Sequence, residues 1–171
     1  MACAAESSAE SGGLSVGVYA QSLVDEQATE ALGRRLGDLL KGKGVVYLMG
    51  ELGAGKTTLS RGILRGMGHA GAVKSPTFTL VEPYEMGERA VYHFDLYRLT
   101  DPEELEYLGI DDYLEGGHLC LLEWPEKGIG HIPSSDLTIE LAVPARGRSV
   151  VITANSSFGE QICRGLVEFD E

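Results

Sequence analysis

The segment Gly50-Glu51-Leu52-Gly53-Ala54-Gly55-Lys56-Thr57 constrains the fold more than any other part of the chain. It fits the Walker A pattern, in which a glycine and four further residues precede Gly-Lys-Thr. The continuous apolar run 45–49 before it predicts a strand covered on both faces, and residues 57–67 after it predict a helix. Strand, loop and helix in this order predict an α/β fold of the P-loop NTPase class, with three layers and a mixed central sheet. The alternative is a glycine-rich turn that binds nothing.

The residue types of this loop suit the phosphates of a nucleotide. Glycines let successive backbone N–H groups turn toward one phosphate, and the N-terminus of the following helix adds a positive end. A lysine here places its charge on the β and γ phosphates, and the Thr57 hydroxyl is a predicted ligand of the bridging Mg²⁺. The predicted nucleotide-binding residues of this segment are Gly53, Ala54, Gly55, Lys56, Thr57 and Thr58.

Such an enzyme also needs a carboxylate at a strand end, where it holds the metal's water shell or orients the attacking water. Glu123 follows an apolar run of four residues, which is the Walker B layout, so we assign it to the metal site with Thr57 and to catalysis. Asp95 also follows a β-forming run and is the second catalytic candidate. Its alternative role is a salt bridge to nearby Arg98. Lys56 completes the predicted catalytic set.

Three further side chains have both a functional and a structural interpretation. Ser75 and Thr77 lie about twenty residues after the Walker A lysine, where many P-loop proteins carry a switch loop. Their alternative is an ordinary turn before a strand. Trp124 is the only tryptophan and follows Glu123, so it either stacks near the nucleotide or packs in the core. His93 lies inside a predicted strand, which favours a core histidine, and we leave it out of the site.

Residue types that are missing from the motifs limit both the predicted nucleotide, which is ATP rather than GTP, and the predicted catalytic group. The only asparagine is Asn155, so the Asn-Lys-x-Asp signature that selects guanine cannot be present. A glutamine that positions the attacking water, as in Ras-like enzymes, is also missing from the predicted catalytic segments. The glutamines are Gln21, Gln27 and Gln161. A carboxylate is therefore predicted to orient the water.

The remaining pattern predicts one domain over residues 16–171. Apolar residues at helical spacing predict a first helix over 25–40, and runs of β-formers separated by a polar turn predict a hairpin. Residues 1–15 are rich in Ala, Ser, Gly and Glu and predict a disordered tail. The other predicted elements are strands 78–84, 90–97, 119–122, 137–143 and 149–154, and helices 100–107 and 158–169.

Charge and cysteine content limit the partners and the compartment. The formal net charge of −12 disfavours tight direct binding of RNA, because nucleic-acid binding depends on a basic face. Cys3, Cys120 and Cys163 form no C-x-x-C spacing, which fits a reducing compartment. No apolar run approaches the length of a membrane span, and no signal peptide is evident. The sequence predicts a cytoplasmic protein that does not bind membranes.

Four motifs in order resemble the TsaE (YjeE) family, over residues 22–143. They are the Walker A segment with Thr58, Lys74-Ser75-Pro76-Thr77-Phe78-Thr79-Leu80, His93-Phe94-Asp95-Leu96-Tyr97-Arg98, and Glu123-Trp124-Pro125-Glu126. The resemblance implies a bacterial ATPase of tRNA threonylcarbamoyladenosine biosynthesis, whose ATP turnover resets a TsaB–TsaD complex. The tail before Tyr19 departs from the family's usual short start.

The resemblance also implies roles for individual residues. Lys56 and Thr57 would carry nucleotide and metal, Ser75 and Thr77 would form the switch loop, and the site would be completed by Asp95, Glu123 and Trp124. Residues 23–25 are a weaker candidate for the adenine contact.

Two other functions compete with that of a switch ATPase. A small-molecule or nucleotide kinase could use the same loop, but kinases usually need an arginine-rich lid. After Arg98 the chain has no arginine until Arg146 and Arg148. A nucleotide-dependent adaptor, for which hydrolysis is incidental, is the third possibility.

Overall fold

The computed structural model describes residues 17–170, so the predicted tail lies outside the described residues. Within these residues, seven strands and five helices follow one another, with one 3₁₀ turn. The strands are β1 Val18–Leu23, β2 Gly44–Met49, β3 Val81–Met86, β4 Arg89–Asp95, β5 Leu119–Glu123, β6 Leu137–Ala142 and β7 Arg148–Ala154. The helices are α1 Glu26–Leu40, α2 Lys56–Gly66, α3 Glu104–Leu108, α4 Ile110–Glu115 and α5 Ser157–Asp170, and the 3₁₀ turn is Pro125–Gly128.

All seven strands form one mixed sheet, in the order β1-β7-β6-β2-β5-β4-β3. Strands β2, β4, β5 and β6 are parallel, whereas β3, β7 and β1 join antiparallel at the two sides. The predicted α/β class with a mixed central sheet is therefore confirmed. Because β2, β4 and β5 run the same way, the residues that follow them meet at one edge of the sheet.

The core lies on both faces of this sheet. Strand β5 shows the division, because Leu119 and Leu121 belong to a large buried cluster with α1, α2 and α5. Cys120 and Leu122 point the other way, into a smaller cluster with Leu105 of α3 and Ile110 of α4. None of the helices between residues 17 and 170 has the length and apolar character of a membrane span.

The hairpin of β3 and β4 differs from its predicted bounds. Residues 78–80 were predicted as strand but form a turn, in which Leu80 N–H donates to the Pro76 carbonyl at 2.8 Å. Leu80 also adopts a left-handed backbone with φ 73°, which breaks the extended geometry. The strand begins only at Val81, and its turn is the short Gly87-Glu88 rather than the predicted four residues.

Other elements start late or were not predicted. The predicted helix 100–107 begins at Glu104, whose Oε2 accepts from the Thr100 hydroxyl at 2.8 Å. Strand β1, helix α4 and the 3₁₀ turn had no prediction. Each is short, and β1 depends on pairing with β7, more than a hundred residues away in the chain.

A glycine seam, formed by Gly33 and Gly37 of α1 and Gly62 and Gly66 of α2, brings these two helices into backbone contact. A Cβ added at Gly33 would lie 2.5 Å from the Leu59 carbonyl oxygen and 2.8 Å from the Gly62 Cα. Cβ atoms at the other three positions would overlap carbonyl oxygens of the opposite helix. The seam therefore fixes α2, whose first residue is Lys56, against α1.

We expect Gly33→Ala to lower the free energy of unfolding by about 1–3 kcal/mol. The added methyl group would overlap backbone atoms of α2, and the overlap can be relieved only if the two helices move apart. Urea unfolding measures the change as a shift of the midpoint. The matched control is Gly165→Ala in α5, where the new Cβ meets the flexible end of Leu39, with Cδ2 at 2.7 Å. Equal stability of the two variants would contradict the close approach of α1 and α2.

Candidate functional site

The loop between β2 and α2 can form only because three glycines adopt left-handed backbone angles. Gly50, Gly53 and Gly55 have φ values of 147°, 84° and 113°, which side chains strongly disfavour. A Cβ at Gly50 would also lie 2.6 Å from the Leu141 carbonyl oxygen, so the loop is held against the end of β6. Gly53 faces open space, since a Cβ there would meet no atom within 4 Å.

A cavity of about 250 Å³ lies beside this loop, at the carboxyl edge of the parallel strands. Residues from four separate segments meet there, although as many as 72 positions separate them in the chain. The lining residues are Leu52, Gly53, Gly55, Lys56, Thr57, Thr58, Ser75, Thr77, Asp95, Glu123 and Trp124. Every predicted site residue except Ala54 is in this set. Ala54 lines an adjoining cavity on the Leu141 side of the loop.

Lys56 is the cation of this cavity. Its Nζ donates to the Gly50 carbonyl at 2.6 Å and lies 4.0 Å from the centroid of the Trp124 ring. Burial lowers the pKa of Lys56, and the carboxylates Glu123 and Asp95 act in the opposite direction. The ammonium group is thus poorly hydrated, which favours its interaction with an anion in the cavity.

The two candidate carboxylates are neighbours across β4 and β5. Asp95 and Glu123 are register partners, and both are almost fully buried. Asp95 Oδ1 accepts from the Tyr97 amide at 3.0 Å, and its Oδ2 accepts from the Thr77 hydroxyl at 3.2 Å. Glu123 Oε2 lies 2.7 Å from His93 Nε2. The contacts of Asp95 therefore hold the loop after α2, whereas those of Glu123 lie within the sheet.

The alternative ion pair of Asp95 with Arg98 does not form. The Arg98 guanidinium lies over the Phe78 ring, 4.6 Å from its centroid. No salt bridge within residues 17–170 joins Arg98 to a carboxylate. Asp95 therefore has no cationic side chain bound directly to it in the described part of the chain.

Ser75, Thr77 and Asp95 form a chain of hydrogen bonds into the cavity. The Ser75 and Thr77 hydroxyl oxygens lie 2.7 Å apart, and Thr77 continues to Asp95. The backbone amide of Lys74 donates to the Tyr84 hydroxyl at 2.9 Å, which ties the start of this loop to β3. The loop therefore presents hydroxyl groups to the same space as Lys56.

Trp124 forms one wall of the cavity because of an unusual backbone conformation. It follows Glu123 directly and has φ 58° and ψ 51°, a left-handed geometry that is costly for a bulky residue. The indole lies between Lys56 and Tyr97, whose ring centroid is 5.0 Å from that of Trp124. Both interpretations of this tryptophan agree with the geometry, because Trp124 lines the cavity and also packs against the smaller buried cluster.

The family model described as Threonylcarbamoyl adenosine biosynthesis protein TsaE matches residues 23–150. The chain belongs to the TsaE family. Two relatives named tRNA threonylcarbamoyladenosine biosynthesis protein TsaE have substantial identity. The one from Haemophilus influenzae is 52% identical over 118 residues, which make up 69% of this chain and 75% of the relative. The one from Bacillus subtilis is 35% identical over 148 residues, or 86% of this chain and 92% of the relative.

A solved structure shares the fold. The crystal structure of Bacillus subtilis YdiB superposes with a TM-score of 0.77 and 30% sequence identity, and covers 90% of this chain and 97% of that one. The TsaE match spans all the residues that line the 250 Å³ cavity. The resemblance based on four motifs is therefore confirmed at the level of the family.

The oxygen donors of this TsaE-family site fit a Mg²⁺ ion that is held partly by protein and partly by water and substrate phosphates. Within the described residues, no group of three or more His, Cys, Asp or Glu side chains could hold a metal ion. The cavity instead offers hydroxyl and carboxylate oxygens, chiefly from Thr57, Asp95 and Glu123. Mg²⁺ usually binds through one or two carboxylates together with water and substrate phosphates. The donor set fits that ion.

Sequence reasoning missed some side chains around the TsaE site. His93 was assigned to the core, which is correct, but it also contacts Glu123. On the other side of the glycine loop lies a cavity of about 190 Å³, and its lining includes two residues of the weaker candidate segment 23–25, Val24 and Asp25. The other lining residues are Glu26, Thr29, Gly53, Gly55, Thr58, Gly147 and Arg148, of which only Gly53, Gly55 and Thr58 had been assigned to the nucleotide site. Arg148 Nη2 lies 3.5 Å from the Gly53 carbonyl oxygen. No spacing in the sequence indicates this approach, because it depends on the pairing of β7.

Proposed function

We propose that this protein is a P-loop ATPase of threonylcarbamoyladenosine modification of tRNA, in which ATP binding and hydrolysis switch a TsaB–TsaD complex. The observation that carries the proposal is the single cavity shared by Lys56, Thr57, Asp95, Glu123 and Trp124. Ligands of α/β proteins bind at the carboxyl ends of parallel strands, which is where this cavity lies. The names of the TsaE relatives support the tRNA pathway.

Each residue has a role that its position allows. The amides of the glycine loop and Lys56 would bind the phosphates, and Thr57 and Glu123 would hold Mg²⁺. Mg²⁺, when bound, supplies charge neutralisation for the phosphoryl group that is transferred. Ser75 and Thr77 would respond to the γ phosphate, a role that is supported by their hydroxyl chain, which ends on Asp95 in the same cavity.

Hydrolysis by the isolated chain should be slow. Among the described residues, no arginine lines the 250 Å³ cavity, so the charge stabilisation that an arginine finger supplies is missing from it. We infer that the TsaB–TsaD complex completes the site or orders the loop with Ser75 and Thr77. Stimulation of turnover by the complex follows from this.

The proposal is tested by phosphate release from ATP with and without the TsaB–TsaD complex. Recovery of the chain on immobilised complex is measured in parallel under ATP, under ADP and without nucleotide. We expect stimulated phosphate release and a recovery that depends on the nucleotide. Absence of hydrolysis under both conditions would overturn the ATPase assignment, and recovery that is equal in all three would overturn the switch.

ATP binding is expected to change the fluorescence of Trp124. This indole is the only one in the chain, and the Lys56 ammonium lies 4.0 Å from its ring centroid. A phosphate that draws Lys56 away would change the electrostatic surroundings of the ring. The same titration with Lys56→Ala is the control and should give little change. If the fluorescence of the wild-type protein does not change while calorimetry shows that ATP binds, Trp124 does not lie near the nucleotide.

We further propose that the protein works in the cytoplasm and does not bind tRNA tightly by itself. A formal net charge of −12 repels phosphate backbones. Tight binding of nucleic acid depends on lysines and arginines that neutralise phosphates and release counterions, and the acidic net charge opposes this. Filter binding of unmodified tRNA at physiological salt is expected to show no retention by the isolated chain. Sub-micromolar binding would contradict this expectation.

A further inference from the structure

His93 is a buried histidine beside the proposed catalytic carboxylate. It lies in β4, two residues before Asp95, and is 0% exposed to solvent. In the register of β4 and β5, His93 pairs with Leu121 and Asp95 pairs with Glu123. Glu123 is therefore the diagonal neighbour of His93 on the same face of the sheet. His93 does not line the 250 Å³ cavity, so it can influence the site only through another residue.

The hydrogen bonds of the imidazole define its tautomer. Nε2 lies 2.7 Å from Glu123 Oε2, whereas Nδ1 is buried and has no hydrogen-bond partner among the described residues. An N–H on Nδ1 would be an unsatisfied buried donor, while an N–H on Nε2 has an ideal acceptor. The arrangement is therefore best satisfied by a neutral ring that donates from Nε2 to the carboxylate.

We propose that His93 is a positioning residue that holds Glu123 in its catalytic orientation. This inference rests on the proposed role of Glu123 in ATP hydrolysis. The Lys56 ammonium in the same cavity attracts the Glu123 carboxylate. The bond from His93 fixes Oε2 inside the sheet, and among residues 17–170 no hydrogen bond is made to Oε1. Because Glu123 lines the cavity, Oε1 would remain available there to orient water or to hold the metal's water shell.

A purely structural role explains His93 less well than a positioning role does. A buried nitrogen without a partner costs stability, and an apolar ring of similar size would avoid that cost. His93 carries this cost at Nδ1 and makes a 2.7 Å contact with Glu123 through Nε2. The contact with Glu123 is therefore what histidine provides here and an apolar ring would not.

The test compares His93→Gln, His93→Asn and His93→Phe. The Gln side-chain amide reaches the position of Nε2 and can donate to Glu123, the Asn amide reaches only that of Nδ1, and Phe keeps a ring without a donor. With the TsaB–TsaD complex present, we expect kcat to fall about 10- to 100-fold in the Asn and Phe variants. We expect His93→Gln to retain most of the wild-type kcat, and KM and Kd for ATP to stay unchanged in all three.

Equal kcat in the Gln and Asn variants would overturn the proposal, because a structural role would not distinguish the two amides. A loss that appears in KM rather than in kcat would overturn it as well. If His93→Phe does not fold, the comparison of Gln with Asn still decides, since both replace the ring with the same polar group.

A second measurement does not depend on activity. Long-range ¹H–¹⁵N correlation spectra of the wild-type protein are expected to show a His93 ring that is protonated on Nε2 only, and Glu123→Ala should shift these signals. A ring protonated on Nδ1 only would overturn the proposal. If the ring signals behave as expected while Glu123→Gln hydrolyses ATP at the wild-type rate, the contact stands and the proposed role of Glu123 fails.

Discussion

Lys56→Ala is expected to weaken ATP binding by a factor on the order of 10² while the protein stays folded. Hydrogen bonds to charged groups contribute about 1.5–3 kcal/mol each, and this lysine is the only cation that lines the 250 Å³ cavity of the described residues. Burial lowers the pKa of Lys56, so the folded protein disfavours the ammonium group that the variant removes. The loss therefore falls on the ligand rather than on the fold.

Titration calorimetry with ATP and Mg²⁺ measures this loss, and thermal unfolding checks the fold. The matched control is Lys127→Ala, because Lys127 is also close to the aromatic pair, with Nζ 5.7 Å from the Tyr97 ring centroid. Lys127 is exposed and lies outside the glycine loop, so its removal should leave the affinity nearly unchanged. Equal Kd values for the two variants would show that Lys56 does not bind the phosphates of ATP.

The strand, loop and helix around Lys56 could be predicted because their signals are local. The apolar run of β2 and the glycines after it determine backbone geometry within a few residues. The same holds for Glu123, which follows the buried strand β5. Their meeting in one cavity follows from a general rule, since parallel strands bring their carboxyl ends to one edge.

The contacts that were missed depend on register between distant segments. His93 reaches Glu123 only because β4 and β5 pair with one particular offset, which neither strand specifies by itself. Phe78 and Thr79 are β-formers by composition, but the hydrogen bond of Leu80 to Pro76 and the positive φ of Leu80 give a turn. Pairing between strands decided the first case, and a local turn decided the second.

The glycine seam had a signal that went unused. Gly33 and Gly37 are four residues apart, as are Gly62 and Gly66, so each pair lies on one helix face. A search for apolar periodicity ignores glycine, and it therefore predicted α1 without predicting what covers it. Two such pairs on consecutive helices indicate a close backbone approach, which here positions the helix that carries Lys56.

Glu123→Gln and Glu123→Ala are expected to bind ATP with nearly wild-type affinity and to lose turnover by about 10² to 10⁴. In the proposed site the amides of the glycine loop and Lys56 would make most of the phosphate contacts, so binding should not depend mainly on a carboxylate that acts through water or the metal shell. The Gln variant retains an acceptor for His93 Nε2 and changes mainly the charge. The Ala variant also leaves His93 without its partner, so its stability should fall further.

Asp95→Asn is expected to show the weaker defect. Glu126→Gln, which changes an exposed acid three positions after Glu123, should show none. Both oxygens of Asp95 already accept hydrogen bonds, from Tyr97 and Thr77, so the main effect of Asp95→Asn should be a looser switch loop. Single-turnover phosphate release with the TsaB–TsaD complex present, together with calorimetry, separates turnover from binding. If Asp95→Asn is inactive while Glu123→Gln hydrolyses ATP at the wild-type rate, the two carboxylates have the opposite roles. Glu123 would then be the residue that organises the sheet edge, and Asp95 the one that orients water.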